Sequence, residues 1–551
     1  MQQKPLVHAR TGAVANFSLA EPRGAIAPGV AASVASHLLA LAVPLALLQT
    51  YDRILPNQAY GTTVVLAVGV TVAIVLEAAL RYARSVLFAH VGSAFESQMT
   101  VRILDHVLRA DSRAFHQLSI PDLSHAVRGV GEVREFWSGN AAVALHELPF
   151  ALIYILLIAY IGSWLALIPL GFTILALIAA LFVARSTARA LRDVEAAQLK
   201  RWKLGWGIFL GIVEAKAMAA ETLLTRRYRD AVAPEMDATA RVENETAVLT
   251  ENGALLAQLS TIGILTTGAF MVLDGELTTG GLAACTLLAG RSVGPATSAL
   301  LYLSRRGQRL EAEGKINKIL SLPLAPVWAG EAAGEMRRFT GGTIVLSGQA
   351  LHRHGGSVSI PQGTFVHVDV PNSPVAAMTL ATITRLEDSL GLSITFDGRP
   401  SSAYDPQIFR EGVTMASSRG ELIRGTLLDN LTLFSPRYEA AAIELSERLG
   451  LSVFIDGLRQ GFMTPVGPGG ADIVSPGIAA RIGLIRALVR QPLVLCLENA
   501  DGSLDLEGVK RLCQLLKELK SHTTVFIVSS APALLQLADM RIRVDRRRTA
   551  S

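Results

Sequence analysis

Long runs of residues without a single Asp, Glu, Lys or Arg constrain this chain more than any other feature. The longest run, residues 148–184, holds 37 uncharged residues and would extend over about 55 Å as a helix. The hydrocarbon core of a membrane is about 30 Å thick, so this run predicts two membrane spans rather than one. The break is expected at 162–164 (GSW), where a tight turn and an interfacial Trp would fit.

Four further runs complete a pattern that predicts six membrane spans. They are residues 24–51, 57–76, 252–273 and 277–304, the last interrupted only by Arg291. The short connectors at 52–57, 162–164 and 274–276 hold one basic residue, Arg53, whereas the long connectors 81–135 and 185–245 hold many. Basic connectors stay in the cytoplasm, so we expect both termini and both long connectors there. The long connectors are predicted to be helices that run past the bilayer and turn near 119–122 and 214–216.

Composition excludes a soluble enzyme and a disordered scaffold. Half of the residues are hydrophobic and only 18% are charged, against roughly 25% in soluble domains. The last 210 residues have an ordinary soluble composition, which predicts a second domain. We expect a cytoplasmic tail at 1–27, a transmembrane domain at 28–320, a linker at 321–340 and a soluble α/β domain at 341–551. The net charge of +5 fits basic cytoplasmic connectors, and no basic-aromatic stripe indicates nucleic-acid binding.

Arg291 is the one charged residue within a predicted span. It either faces a translocation path or pairs with Glu77, or it lies near the cytoplasmic end of the span and reaches the interface. We favour the first two options, because exposure of a guanidinium to lipid is costly.

Two short segments carry a specific family resemblance. Residues 48–57 (LQTYDRILPN) and 280–291 (GGLAACTLLAGR) closely resemble the first and sixth spans of type I secretion exporters. Together with the layout, they make residues 30–545 similar to an ABC exporter half-transporter of the type I secretion permease/ATPase family. The resemblance implies a membrane all-α six-helix exporter domain followed by an α/β ABC-type nucleotide-binding domain in the inner membrane. The first 27 residues are too short for the peptidase-like domain that some members carry.

The motifs that such a domain needs for ATP chemistry are replaced. After 360–366 (IPQGTFV) the family has a phosphate loop, G-x-x-x-x-G-K-[ST], whose backbone N–H groups and lysine hold the phosphates and whose hydroxyl holds Mg²⁺. Asn499 stands at the catalytic glutamate, where an amide cannot accept a proton from water. The resemblance therefore implies a degenerate nucleotide site and no catalytic or metal-binding residue. The replaced positions are Val370 and Val375 (glycines), Ala376 (lysine), Ala377 (Mg²⁺ ligand), Ser418 (metal-sensing Gln), Glu498 (Walker B Asp), Asn499 (catalytic Glu) and Ser530 (switch His).

One element of the nucleotide site is better preserved. Residues 474–478 (VSPGI) stand where the family has its signature motif, which contacts the ATP held by the partner chain. Ser475 is a suitable N-cap and Pro476 suits the first helical position. We expect Ser475 and Gly477 to contact ATP in trans, although an ordinary capped helix explains the same residues. Asp505, in the loop that links the two sites, is also retained.

The leading hypothesis is a pseudo-ATPase subunit that binds no nucleotide alone and shares ATP and Mg²⁺ with a competent half-transporter in a heterodimer. By resemblance, the cargo would be a secreted polypeptide, with adaptor and outer-membrane components as further partners. The alternative is a non-transporting membrane scaffold or regulatory protein. An active homodimeric ATPase is nearly excluded by the residues at the replaced positions.

Overall fold

A computed structural model describes residues 23–116, 118, 120–138, 140–328, 339–388, 390–417, 420–467 and 474–544. Ser418, most of the predicted N-terminal tail and the centre of the predicted linker lie outside these residues. The chain divides into two compact units. The first unit takes the residues up to Val107 and from Leu118 to Ser321, and the second takes Leu108–Gln117 and the residues from Leu322 onward. The second unit therefore includes the tip of a connector that the predicted boundaries place in the membrane domain.

The described residues of the first unit form helices joined by short turns. Its helices are α1 (Arg23–Ala40), α2 (Ala42–Gln49), α3 (Leu55–Asn57), α4 (Tyr60–Arg109), α6 (Ile120–Ser138), α7 (Asn140–Gly162), α8 (Leu167–Leu210), α9 (Ile212–Ala217), α10 (Glu221–Leu273), α11 (Thr279–Ser292) and α12 (Gly294–Leu320). A π-helical turn at Thr50–Ile54 joins α2 to α3, and a 3₁₀ turn at Ser163–Ala166 joins α7 to α8. Helices α4, α8 and α10 have 50, 44 and 53 residues. At 1.5 Å per residue they extend well beyond a bilayer, as the sequence predicts.

Four helical runs among the described residues are long and apolar enough to cross a membrane. They are Pro28–Asn57, Tyr60–Arg109, Pro149–Leu210 and Glu221–Leu273. The third run contains the 3₁₀ turn at the predicted break, where Ser163 has a φ of +50°. The count of six spans stays a prediction.

The turns between the long helices lie close to their predicted positions. Helix α8 ends at Leu210 and α10 begins at Glu221, so the short α9 forms the tip near residue 214. The other tip precedes the predicted 119–122, because α4 ends at Arg109 and α6 already begins at Ile120 with a proline in its first turn. Helix α5 (Ser112–His116) lies in this tip.

The second unit is an α/β domain with three sheets. Its strands are β1 (Ile344–Ser347), β2 (Ser357–Ile360), β3 (Phe365–Asp369), β4 (Ser393–Phe396), β5 (Arg399–Pro400), β6 (Val413–Ser417), β7 (Gly425–Thr426), β8 (Pro465–Val466), β9 (Val494–Glu498), β10 (Thr524–Val528) and β11 (Met540–Arg543). Its remaining helices are α13 (Ser373–Ile383), α14 (Pro406–Gly412), α15 (Leu427–Thr432), α16 (Glu439–Arg448), α17 (Ser452–Asp456), α18 (Pro476–Leu488), α19 (Leu506–Leu519) and α20 (Pro532–Leu535). Short 3₁₀ turns occur at Gln349–His354, Ser401–Ala403, Pro436–Tyr438 and Gly461–Met463.

A five-stranded parallel sheet forms the centre of this unit, in the order β11-β3-β10-β9-β6. Strands β9 and β10 are buried along almost their whole length, as near-continuous hydrophobic runs in parallel sheets usually are. An antiparallel sheet, β2-β1-β4-β5, shares a hydrophobic core with α13 and one face of the parallel sheet. A second core joins the other face to α15, α16, α18 and α19.

Candidate functional site

The carboxyl edge of the parallel sheet gathers the positions that the sequence singled out. Val528 of β10 pairs with Glu498 of β9, and Glu498 pairs with Ser417 of β6. Strand β3 lies on the other side of β10 and ends at Asp369. Because parallel strands end at the same edge, the segments after β3, β6, β9 and β10 lie at one site. Ser418 follows β6 directly but is outside the described residues.

The connection from β3 to α13 is short and is capped by the chain itself. Only Val370–Asn372 separates strand and helix, so Ser373, Pro374 and Val375 of the predicted phosphate loop are already helical. The Asn372 side-chain oxygen accepts the Val375 N–H at 3.1 Å, and its carbonyl oxygen accepts the Ala376 N–H at 3.2 Å. Pro374 has no N–H to donate. The first turn of α13 therefore directs two of its backbone donors to Asn372.

The positions predicted to correspond to glycine and lysine face the hydrophobic core. Val375 is 4% exposed and Ala376 is fully buried. Ala376 belongs to the cluster formed by β3, β9 and β10, which includes Val366, Cys496 and Phe526. A side chain at 376 thus points into the protein and not toward the edge of the sheet. Ala377 is half-buried on the same turn, and Val370 packs against the same cluster from the loop.

Polar groups from β9 and β10 form a small network at the edge. Asn499 has a φ of +44°, and its N–H donates to the Val528 carbonyl at 2.8 Å. The Ser529 hydroxyl donates to Asp501 at 2.9 Å and accepts the Ala531 N–H at 2.9 Å. Ser530 is exposed. Among the described residues, no group of three His, Cys, Asp or Glu side chains could hold a metal ion.

Sequence reasoning missed Asn372, Asp501 and Ser529 as members of this site. For Asn372 a signal exists, since an Asn followed by Ser-Pro matches an N-cap with proline in the first helical turn. Asp501 and Ser529 have no comparable signal, because their hydrogen bond joins residues from different strand ends.

The predicted cap of α18 is confirmed. The Ser475 hydroxyl accepts the Ile478 N–H at 3.4 Å, and Pro476 is the first helical residue. Ser475 is exposed, and a Cβ added to Gly477 would lie 2.9 Å from the Ser503 carbonyl oxygen. The start of α18 therefore lies against the loop that follows β9.

Asp505 links this loop to α18. Its carboxylate accepts the Gly508 N–H at 2.8 Å at the start of α19 and pairs with Arg481 of α18 at 2.6 Å. The hydrogen bond from Gly508, with the Arg481 guanidinium, holds the pKa of Asp505 below its ordinary value. Asp505 thus joins the start of α19 to α18.

In the first unit, Arg291 has a partner that was not expected. Glu77 pairs with Arg81 at 2.5 Å, and Arg291 donates instead to the Ala40 carbonyl oxygen at 3.0 Å. That carbonyl would normally accept the N–H of residue 44, which is Pro44 and has none. The pairing with Glu77, one of the two favoured alternatives, is therefore wrong, because Arg291 donates to a carbonyl that the proline leaves without its helical partner. The other alternative, a position that faces a translocation path, stays a prediction.

The two segments that carry the family resemblance meet in the fold. The Asp52 carboxylate accepts the Thr278 hydroxyl at 2.7 Å and the Gly280 N–H at 2.9 Å. A Cβ on Gly280 would lie 2.6 Å from the Leu48 carbonyl oxygen, so only glycine permits this approach. Residues 48–57 thus cap the first turn of α11 from another helix.

This architecture has the fold of an ABC exporter. Residues 26–295 match the ABC transporter transmembrane region. The fold is similar to the ATP-bound structure of a bacterial Atm1-family ABC exporter, with a TM-score of 0.79 and 18% identity over 96% of this chain and 95% of that one. The helical membrane region is followed by the α/β domain, in the order that the sequence predicts.

Sequence relatives narrow the class to exporters homologous to type I secretion permease/ATPases. The chain is 24% identical over 530 residues to the alpha-hemolysin translocation ATP-binding protein HlyB of Escherichia coli O157:H7, covering 92% of this chain and 73% of that protein. It is 25% identical to the leukotoxin export ATP-binding protein LtxB of Aggregatibacter actinomycetemcomitans, covering 93% and 73%. It is also 25% identical to the cyclolysin secretion/processing ATP-binding protein CyaB of Bordetella pertussis, covering 92% and 72%. The chain is thus similar to these proteins over more than nine tenths of its length, and its long apolar helices imply a multi-pass membrane protein.

Proposed function

We propose that this chain is a pseudo-ATPase subunit of a type I secretion exporter. The observation that carries the proposal is the capped start of α13. Asn372 accepts N–H groups that a phosphate loop would direct to nucleotide, and Ala376 faces the core where the loop would present a lysine. The residues after β3 therefore do not fit a nucleotide phosphate chain.

The loss of binding free energy for ATP that is expected from the missing hydrogen bonds supports the proposal. A hydrogen bond to a charged group contributes about 1.5–3 kcal/mol. The loss of two to four such bonds lowers affinity by at least about 10²-fold. At the other positions, Glu498 is one methylene longer than aspartate, and Asn499 cannot act as a general base. Isolated, the chain is expected to escape ATP photolabelling at micromolar nucleotide.

The better preserved start of α18 gives the chain a role in a composite site. Ser475 and Gly477 present an exposed hydroxyl and a backbone N–H at a helix N-terminus, where anions are stabilised. We place them against the phosphates of an ATP held by a competent partner half-transporter. Mg²⁺ would then belong to the partner.

The tip between α8 and α10, formed by α9, has a hydrophobic surface that indicates a partner chain. The exposed hydrophobic side chains there are Phe209, Leu210, Ile212, Val213, Met218 and Leu223. Helix α8 is about 66 Å long, and only about 30 Å of it fits the hydrocarbon core, so lipid does not cover this tip. An uncovered hydrophobic surface of this kind indicates a protein interface, and we assign it to the partner half-transporter.

Orientation and cargo complete the proposal. The basic long connectors place the termini and the second unit in the cytoplasm. By homology with toxin exporters, the cargo is a secreted polypeptide, and adaptor and outer-membrane components are further partners. Reporter fusions at Gly275 and Gly341 are expected on opposite sides of the membrane. The same side for both would contradict the six-span topology.

Replacement of Ser475 by Glu tests the composite site. In the complex co-purified with its competent half-transporter, Ser475→Glu is expected to abolish ATPase activity, because an acidic side chain repels the γ-phosphate. Folding should persist, since an exposed helix cap contributes only about 1 kcal/mol. The matched control is Ser530→Glu, which places the same charge on an exposed serine at the non-functional site. Equal effects of the two variants, or full activity of Ser475→Glu, would favour the scaffold alternative.

A further inference from the structure

The loop between β6 and α15 lies directly on helix α18. Gly420 has a φ of +48°, and a Cβ at this position would collide with the Ala479 carbonyl oxygen. On the helix side, a Cβ added to Gly483 would lie 3.5 Å from the Gly420 Cα. Gly420 therefore allows the loop backbone to approach α18 closely, and residue 483 lies in van der Waals contact with it.

Asn430 organises the remainder of this loop. Its side-chain oxygen accepts the Ile423 N–H at 2.9 Å, and its amide donates to the carbonyls of Ile423 at 2.8 Å and Thr426 at 3.0 Å. Asn430 is 1% exposed. Thr426 and Asp429 form a reciprocal capping box at the start of α15. Residues 420–430, hereafter the strap loop, thus have a defined conformation next to α18.

Arg486 connects the strap loop to α18. Its Nε donates to the Asn430 carbonyl at 2.7 Å, one Nη donates to the Glu421 carbonyl at 2.5 Å, and the other donates to the Asn430 side-chain oxygen. The planar guanidinium satisfies three acceptors on the loop with one fixed geometry. Lysine, a single point donor, cannot reproduce this arrangement.

Helix α18 places these contacts at a fixed distance from Ser475. Arg486 follows Ser475 by 11 residues, or about 16 Å along a helix. A shift of the start of α18 therefore carries Arg486 with it, and Arg486 holds the strap loop.

We propose that Arg486 is a positioning residue that makes the strap loop follow α18. This proposal rests on the proposed composite site. ATP held by the partner and contacted at Ser475 would thereby reach the strap loop of a chain that binds no nucleotide itself. Both ends of the connection are on this chain, so it does not depend on the replaced residues after β3.

The test compares amide hydrogen exchange in the full complex with the co-purified competent half-transporter, whose own catalytic glutamate is changed to Gln so that ATP persists. Wild type, Arg486→Gln and Arg486→Lys are measured with and without ATP. The matched control is Arg410→Gln on α14, because burial lowers the pKa of Arg410 as it does that of Arg486.

With ATP, wild type is expected to show slower exchange both at 474–478 and in the strap loop. Arg486→Gln should retain protection at 474–478 and lose it in the strap loop, where exchange becomes about tenfold faster. Arg486→Lys should lose less of the ATP-dependent protection in the strap loop. It replaces Arg486→Gln in the test if the Gln variant does not fold. Arg410→Gln should behave as wild type.

Two outcomes distinguish the two proposals. Protection of the strap loop by ATP in Arg486→Gln and in Arg486→Lys would overturn the role of Arg486 and leave the composite site intact. Absence of protection at 474–478 in the wild-type complex would overturn the composite site itself, and with it the connection. Equal loss in the Arg486 and Arg410 variants would reduce Arg486 to a general stabilising residue.

Discussion

Restoration of the missing lysine should destabilise the second unit instead of creating a nucleotide site. In a phosphate loop the lysine extends toward the phosphates. Here Ala376 is fully buried in the cluster of α13 and the parallel sheet. The change Ala376→Lys therefore forces an ammonium group and its aliphatic chain into a packed hydrophobic core.

The expected cost can be worked from this environment. Overpacking of a filled core costs about 1–3 kcal/mol. Burial also disfavours the charged form of a lysine amine, and lowering its pKa from about 10.4 to about 8.4 costs about 2.7 kcal/mol at neutral pH. The two contributions together amount to about 4–6 kcal/mol, a large part of the 5–15 kcal/mol that stabilises a typical domain.

The assay is amide exchange of β3 and α13 in the full-length chain, together with ATP photolabelling. Ala377→Lys is the matched control, because Ala377 is half-buried on the same turn and a lysine there can extend its amine to water. Its cost should stay near about 1 kcal/mol. The penalty of Ala376→Lys should also decrease as the pH rises toward about 10.4, where the unfolded amine becomes neutral as well. An Ala376→Lys variant as stable as Ala377→Lys, and labelled by ATP, would refute the proposed geometry.

Two further predictions concern the first unit. Arg291→Leu should destabilise this unit by about 1.5–3 kcal/mol, because the Ala40 carbonyl loses its donor. Pro44→Ala should offset part of that loss, because an N–H at residue 44 can bond the Ala40 carbonyl. Additive effects of the two changes in a double-mutant cycle of thermal unfolding would exclude this explanation. Burial and a hydrogen bond with Glu311 raise the pKa of Glu195 from 4.5 to about 7, while Lys315, at 2.8 Å, acts in the opposite direction. Its contribution to stability is therefore complete below pH 4.5 and lost as the pH rises through 7. Glu195→Gln should remove this pH-dependent loss of stability. The change in melting temperature between about pH 5 and about pH 8 should therefore be smaller in Glu195→Gln than in wild type, and an equal change in both would contradict the assignment.

Local patterns in the sequence were sufficient to predict the long helices and the order of the motifs that follow the strands. The uncharged runs predicted the long helices, and the break near Ser163 follows from a run too long for one span. Ser475 with Pro476 predicted the cap of α18, because a cap depends on residues within one helical turn. The positions that we assign to the nucleotide motifs after β3, β9 and β10 could also be proposed from the sequence, since each follows a recognisable strand.

Only the tertiary structure decided which polar groups meet. Asp52 contacts Gly280 across 228 residues, and Arg291 contacts the Ala40 carbonyl across 251 residues. The direction of Ala376 into the core depends likewise on where α13 begins after β3. Hydrogen bonds between distant segments depend on how helices and sheets pack, and a buried donor or carbonyl takes whichever partner that packing brings within reach. Local sequence patterns do not specify which distant segments pack together, so these contacts could not be predicted from the sequence.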